Sequence, residues 1–134
     1  MINRKNYLFS IIIMIVVIIS GLDNKLFAQD KKMVIRIAKL QIDAKQLESY
    51  KAAVKEHIET AVRVEPGVLT LYAVYEKNSP SHVTVFEIYA NTAAYKAHLL
   101  APHFIKYKTT TKDMVTSLEL IETVPIALET KPKL

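Results

Sequence analysis

The groups in this chain able to do chemistry are four histidines (His57, His82, His98 and His103), the strand carboxylate Glu87, and the nearby tyrosines Tyr72 and Tyr89. Cysteine is absent, which excludes thiol catalysis, thiolate metal ligands and disulfides. Of two glycines only Gly67 lies beyond an apolar leader, so a Gly-rich phosphate loop and a dinucleotide fingerprint are excluded as well. His98 stands three residues after Tyr95 and four after Ala94, on one helical face. An imidazole there, aimed at a sheet, serves as a base or hydrogen-bond donor near neutral pH; the plainer alternative is a core histidine satisfied by a backbone carbonyl. His103 follows Pro102 in the first turn of the next helix, where a surface cap residue is the plainer alternative. Glu87 alternates with Val85 and Tyr89 on one strand face; buried there it needs a partner or a raised pKa, and on an open face it is merely solvated. His57 and His82 read as a helix-face residue and a turn residue without a role. His98 and His103 are five apart across a proline, not at the i,i+4 spacing that places two imidazoles on one helical face, so no metal site is expected of them with Glu87.

The elements that must position these residues follow from periodicity. Met33 to Ile42 is rich in β-branched residues and reads as a strand covered on much of both faces. Asp43 is an N-cap with Gln46 as a capping-box-like partner, and Leu47, Tyr50, Val54, Ile58, Ala61 and Val62 then follow at helical spacing. Glu65-Pro66-Gly67 ends that helix of about five turns, with proline withdrawing an N–H and glycine permitting the turn. Val68 to Glu76 and Val83 to Ala90 are strands joined through the turn-rich 77–81. Asn91 caps a helix over Thr92 to Leu100, Ala101-Pro102 interrupts it, and Phe104, Tyr107, Thr111, Met114 and Val115 continue the helical spacing. Thr116 to Val124 is the last strand. This order is the split βαβ arrangement of an α+β ferredoxin-like sandwich. Neither side of the 68–76 strand is polar, so the sheet needs a cover on both faces. The economical one is a second copy, giving a homodimer of the dimeric α-β barrel type.

At 134 residues the chain is at most one ordinary domain. Its first part is of another kind. Arg4 and Lys5 precede an apolar run from Leu8 to Ile19, and Leu26-Phe27-Ala28 offers a small-residue boundary, so residues 1–28 read as a secretory signal cleaved after Ala28. The run is short for a spanning helix of about 20 residues. Export to a periplasmic or secreted location without a stable membrane anchor is the expectation. A linker over 29–32, a domain over 33–124 and a tail over 125–134 complete the organisation. Losing the leader lowers the net charge from +5 to +3, and the remaining lysines are scattered without interleaved aromatics, so nucleic acid is not an expected partner.

The stretch from Glu87 to Leu99, followed by Ala101-Pro102-His103-Phe104 and preceded by Glu65-Pro66-Gly67, resembles the signature of the antibiotic biosynthesis monooxygenase domain family, which includes small quinol monooxygenases; the similarity runs from Met33 to Val124. The resemblance implies a dimeric ferredoxin-like fold and oxidation of a quinol-like or phenolic aromatic by O2 with no cofactor, whether metal, haem or flavin. It also implies that His98 is the base or orienting donor, that His103 is its second histidine and that Glu87 orients an imidazole or holds the substrate hydroxyl. Tyr72, Tyr89, Tyr95 and Phe104 would line the cavity. One position departs from the pattern: Tyr89 stands where many members carry Trp. With no Trp and no Asn between Asp30 and Asn78, the haem-degrading branch is disfavoured. Two other functions fit the same fold. One is a hydroxyketone isomerase of the autoinducer-2-processing kind, whose phosphorylated substrate needs an anion clamp that only Arg36 and Arg63 offer. The other is a non-catalytic ligand-binding or stress module.

Overall fold

The computed structural model describes residues 32–131; the expected signal segment and most of the linker lie outside the described residues. Strand β1 (Val34–Ile42) leads through a 3-10 turn (Ala44–Gln46) into helix α1 (Leu47–Val64). A hairpin of β2 (Val68–Glu76) and β3 (Ser79–Tyr89) follows, then helices α2 (Thr92–Leu100) and α3 (Pro102–Thr111), and strand β4 (Val115–Thr123). The strands form one antiparallel sheet in the order β2-β3-β1-β4. The α+β ferredoxin-like expectation is therefore borne out. No helix among the described residues is long and apolar enough to cross a membrane.

Strand alternation decides which side chains meet the helices. Ala38, Leu40 and Ile42 of β1 join Val83 and Val85 of β3 in a core with Tyr50 and Val54 of α1. Leu71, Val68 and Tyr89 form a second core around Ala61. Leu118 and Leu120 of β4 pair with Leu40 and Ala38 and share their face, yet remain exposed. The helices lean toward β2 and β3, which leaves this end of the sheet open.

Four local expectations are corrected. The β2–β3 connection is only Lys77-Asn78, because Ser79 already pairs with Glu76; Pro80 and Ser81 fit in β3 since β1 pairing starts at His82 and the ladder with β2 is irregular there. Asp43 accepts from the Lys45 backbone N–H at 3.0 Å and from Gln46 Nε2 at 3.1 Å, so it caps the 3-10 turn rather than α1 itself. The third helix stops at Thr111: Met114 lies in the turn that follows, and Val115 opens β4. Gly67 does not adopt the left-handed backbone. Its requirement is spatial, since a Cβ there would collide with the Ala94 Cβ. That close approach seats the start of β2 against α2 and brings the end of α1 to the two helices that carry His98 and His103.

Candidate functional site

An apolar cavity of about 100 Å³ lies between the sheet and the helices. Glu87 and Tyr89 of β3, Arg36 of β1, His57 of α1, Tyr95 of α2 and Phe104 of α3 are among its walls. The exposed side of the cavity is bounded by Leu118 and Leu120, so the uncovered end of the sheet is also its mouth. Tyr89 is buried and donates its hydroxyl to Glu87 Oε2 at 3.1 Å. Burial pushes the Glu87 carboxyl above its ordinary range, against the opposing pull of that hydroxyl and of the Arg36 guanidinium. Burial and the neighbouring carboxylate raise Tyr89 as well, which keeps it a neutral donor. The guanidinium of Arg36 stacks 4.8 Å from the Tyr95 ring centroid, and its Nε is buried without a hydrogen-bond partner.

Behind this wall a second carboxylate collects the histidines. Glu65, the residue that ends α1, accepts from His98 Nδ1 at 2.8 Å and from His103 Nε2 at 2.6 Å, both at its Oε1. His98 is 1% exposed, and its ring packs 5.2 Å from Tyr89 and 4.9 Å from Phe104, so the triad and the cavity share an aromatic wall. His57 completes the layer, stacked on Tyr107 at 4.8 Å and 11° and lying 5.2 and 5.5 Å from the rings of His98 and His103. Desolvation, then the two neighbouring histidines, press its pKa down to about 4. His57 is therefore a neutral imidazole at pH 7, and its buried Nδ1 has no hydrogen-bond partner.

The structure thus sorts the expected site residues into three places. Glu87, Tyr89, Tyr95 and Phe104 line one cavity. His98 and His103 come together, but on Glu65 rather than on Glu87, one layer behind the cavity wall. Tyr72 is not part of the cavity: it pairs with Phe86 while its neighbour Leu71 pairs with Glu87, so strand alternation turns Tyr72 to the opposite face, where it is 59% exposed. The i,i+4 rule failed for His98 and His103 because they are not on one helix; α2 ends and α3 begins between them, and the break folds the two imidazoles toward each other. Arg36 and Arg63 do not form an anion clamp, since Arg36 is buried at the cavity and Arg63 is exposed at the end of α1.

Two residues of this layer, His57 and Glu65, had no expected role in the site. His57 continues the buried stripe Tyr50, Val54, His57, Ala61 at helical spacing, whereas Val62, assigned to that stripe, is 47% exposed. That register was visible in the sequence. Glu65 was read only as a helix stop; its partners lie 33 and 38 residues away, beyond the reach of local periodicity.

The family model of antibiotic biosynthesis monooxygenases matches residues 33–110. A crystal structure of a candidate antibiotic biosynthesis monooxygenase from Bacteroides thetaiotaomicron is 52% identical, with a TM-score of 0.73, and the match covers 76% of this chain and 97% of that one. A candidate monooxygenase from Lactobacillus acidophilus is 28% identical with a TM-score of 0.68; there the match takes in 72% of this chain and 46% of the other, so the chain spans about half of that protein. A Nitrosomonas europaea structure, 18% identical with a TM-score of 0.66 over 70% of this chain and 99% of its own, shares the fold. No curated protein matches the chain.

Proposed function

The chain belongs to the antibiotic biosynthesis monooxygenase family, and on that premise we propose that it oxidises a phenolic or quinol-like aromatic with O2 in the cavity beside Glu87. The observation that carries the reading is a half-buried carboxylate with a raised pKa, oriented by the Tyr89 hydroxyl, at the wall of an otherwise apolar cavity. A phenol must lose its proton before its ring gives up an electron to O2, and a carboxylate with a raised pKa takes that proton better than an ordinary one. Glu87 is the proton acceptor in this scheme, and Tyr89 aims it. Tyr95, Phe104 and the leucines exclude water from the anion and from O2. One oxygen atom enters the ring, the other leaves as water, and the phenol becomes a quinone, so the reaction balances without an external reductant. His98 and His103 act from behind as positioning residues, because their polar contacts go to Glu65 and their rings support Tyr89 and Phe104.

Size narrows the substrate. The 100 Å³ here is less than the about 150 Å³ cavity known to take benzene, so the substrate is at most a single ring, part of which stands in the open mouth. Oxygen uptake with single-ring phenols and hydroquinones should exceed the spontaneous rate, and Glu87→Gln should lower it by about 100-fold. No uptake above background with any such ring, or an unchanged rate in Glu87→Gln, would overturn the proposal.

Two further expectations belong to the same reading. The sheet face away from the helices exposes Tyr72 and Val74, and a second copy packed on that face gives a homodimer. The leader over 1–28 directs the domain out of the cytoplasm, where its substrate is an exported or envelope aromatic.

A further inference from the structure

We infer that Glu65, His98 and His103 form a binding site for a divalent first-row cation of the zinc type, separate from the cavity that holds the substrate. The donors are two imidazole nitrogens and a carboxylate oxygen, and all lie within 4.8 Å of one another. Two of the separations are already 2.8 and 2.6 Å. Tetrahedral coordination at about 2.1 Å sets donors about 3.4 Å apart, so no pair needs to change by more than about 1.4 Å. The ligands are also pre-positioned. Glu65 ends α1, His98 sits in the last turn of α2 and His103 in the first turn of α3, and the Ala101-Pro102 break fixes the last two relative to each other.

Two observations outside the triad point the same way. The Nδ1 of His57 is buried without a hydrogen-bond partner beside both histidines, an orphan that calls for a physical account. A three-ligand cation carries water in its open position, and such a water supplies the missing partner. Next to His103 and His57 lies a second small cavity of about 50 Å³, bounded by Tyr107 and by the exposed Glu56 and Lys106. It reaches His103 of the triad and has room for that water. Coordination requires His98 to carry its proton on Nε2 and His103 on Nδ1, tautomers open to any neutral imidazole. Two neutral imidazoles and one carboxylate leave the cation with a single positive charge, and imidazole nitrogen with carboxylate oxygen is a donor set that suits zinc.

The test is calorimetric titration of zinc ion into the chelator-stripped protein. Cobalt(II) absorption serves as a second readout of low-coordinate binding. One ion per chain is expected, with affinity reduced at least about tenfold in both Glu65→Gln and His103→Ala. Binding should be unchanged in His82→Ala, an exposed histidine paired with Glu76. Circular dichroism of each variant separates loss of the site from loss of the fold. Absence of saturable binding by the folded domain, or binding unaffected by either triad substitution, would overturn the inference. Neither readout involves catalysis, so the outcome is independent of the proposed monooxygenase activity.

Discussion

Glu65 and Glu87 are two mostly buried carboxylates served by the same aromatic layer, and they differ in what holds them. Glu87 has a single neutral hydroxyl as its hydrogen-bond partner and faces a cavity, so its burial is under-compensated and its proton affinity rises. Glu65 has two imidazole N–H donors on one oxygen and does not line that cavity. Desolvation without full pairing makes a group reactive, whereas pairing makes it a fastener. The same chain sets one carboxylate at a cavity wall and uses the other to tie the end of α1 to α2 and α3.

Replacing the fastener should have the largest effect on stability. Glu65→Ala removes both hydrogen bonds and strands two imidazoles that are largely buried, with an expected loss of about 3 kcal/mol in chelator-containing denaturant titrations. Glu87→Ala, which frees a desolvated carboxyl, should cost clearly less. Equal losses at the two sites would break the distinction between them.

The next effect concerns the imidazole between the two regions. The folded pKa of His57, about 4, lies below its ordinary 6.5. Between these values the unfolded chain binds more protons than the folded one, so stability falls as pH drops from 6.5 toward 4. Replacing His57 with leucine should abolish that contribution, and the variant should gain about 2 kcal/mol on the parent between pH 7 and pH 4. A parallel pH dependence in the two proteins would show that His57 is not held neutral by its surroundings.

Smaller again is Gly67→Ala, where the new methyl must displace Ala94 and with it the start of α2; a loss of about 1 to 2 kcal/mol is expected from thermal unfolding. Because α2 carries His98, this substitution should disturb the triad before it disturbs Glu87. The smallest effect belongs to Tyr72→Ser, on the far face of the sheet, whose oxidation rate should stay within about twofold of the parent.

What the sequence made legible follows the range of the interactions involved. Period-two and helical patterning reached the sheet, the helices and the placement of Glu87 and Tyr89 on one strand face, because each rests on neighbours a few residues apart. The pairing of Glu65 with His98 and His103 was not readable in this way, since three separate element ends meet only after the sheet has closed. The face of Tyr72 follows from the same alternation, since it stands one residue from Leu71, which Glu87 faces across the hairpin. Gly67 permits the turn after α1 as expected, but what requires a glycine there is the close approach to Ala94, which leaves no mark in local sequence.

In the proposed reaction the Glu87 cavity inserts oxygen rather than merely removing hydrogen. Single-turnover oxidation of a one-ring phenol under isotopically labelled O2, with the product trapped before exchange with water, tests it most directly. One labelled oxygen is expected in the quinone and one in water, with the yield lost in Glu87→Gln. A quinone free of label, formed together with hydrogen peroxide, would contradict it.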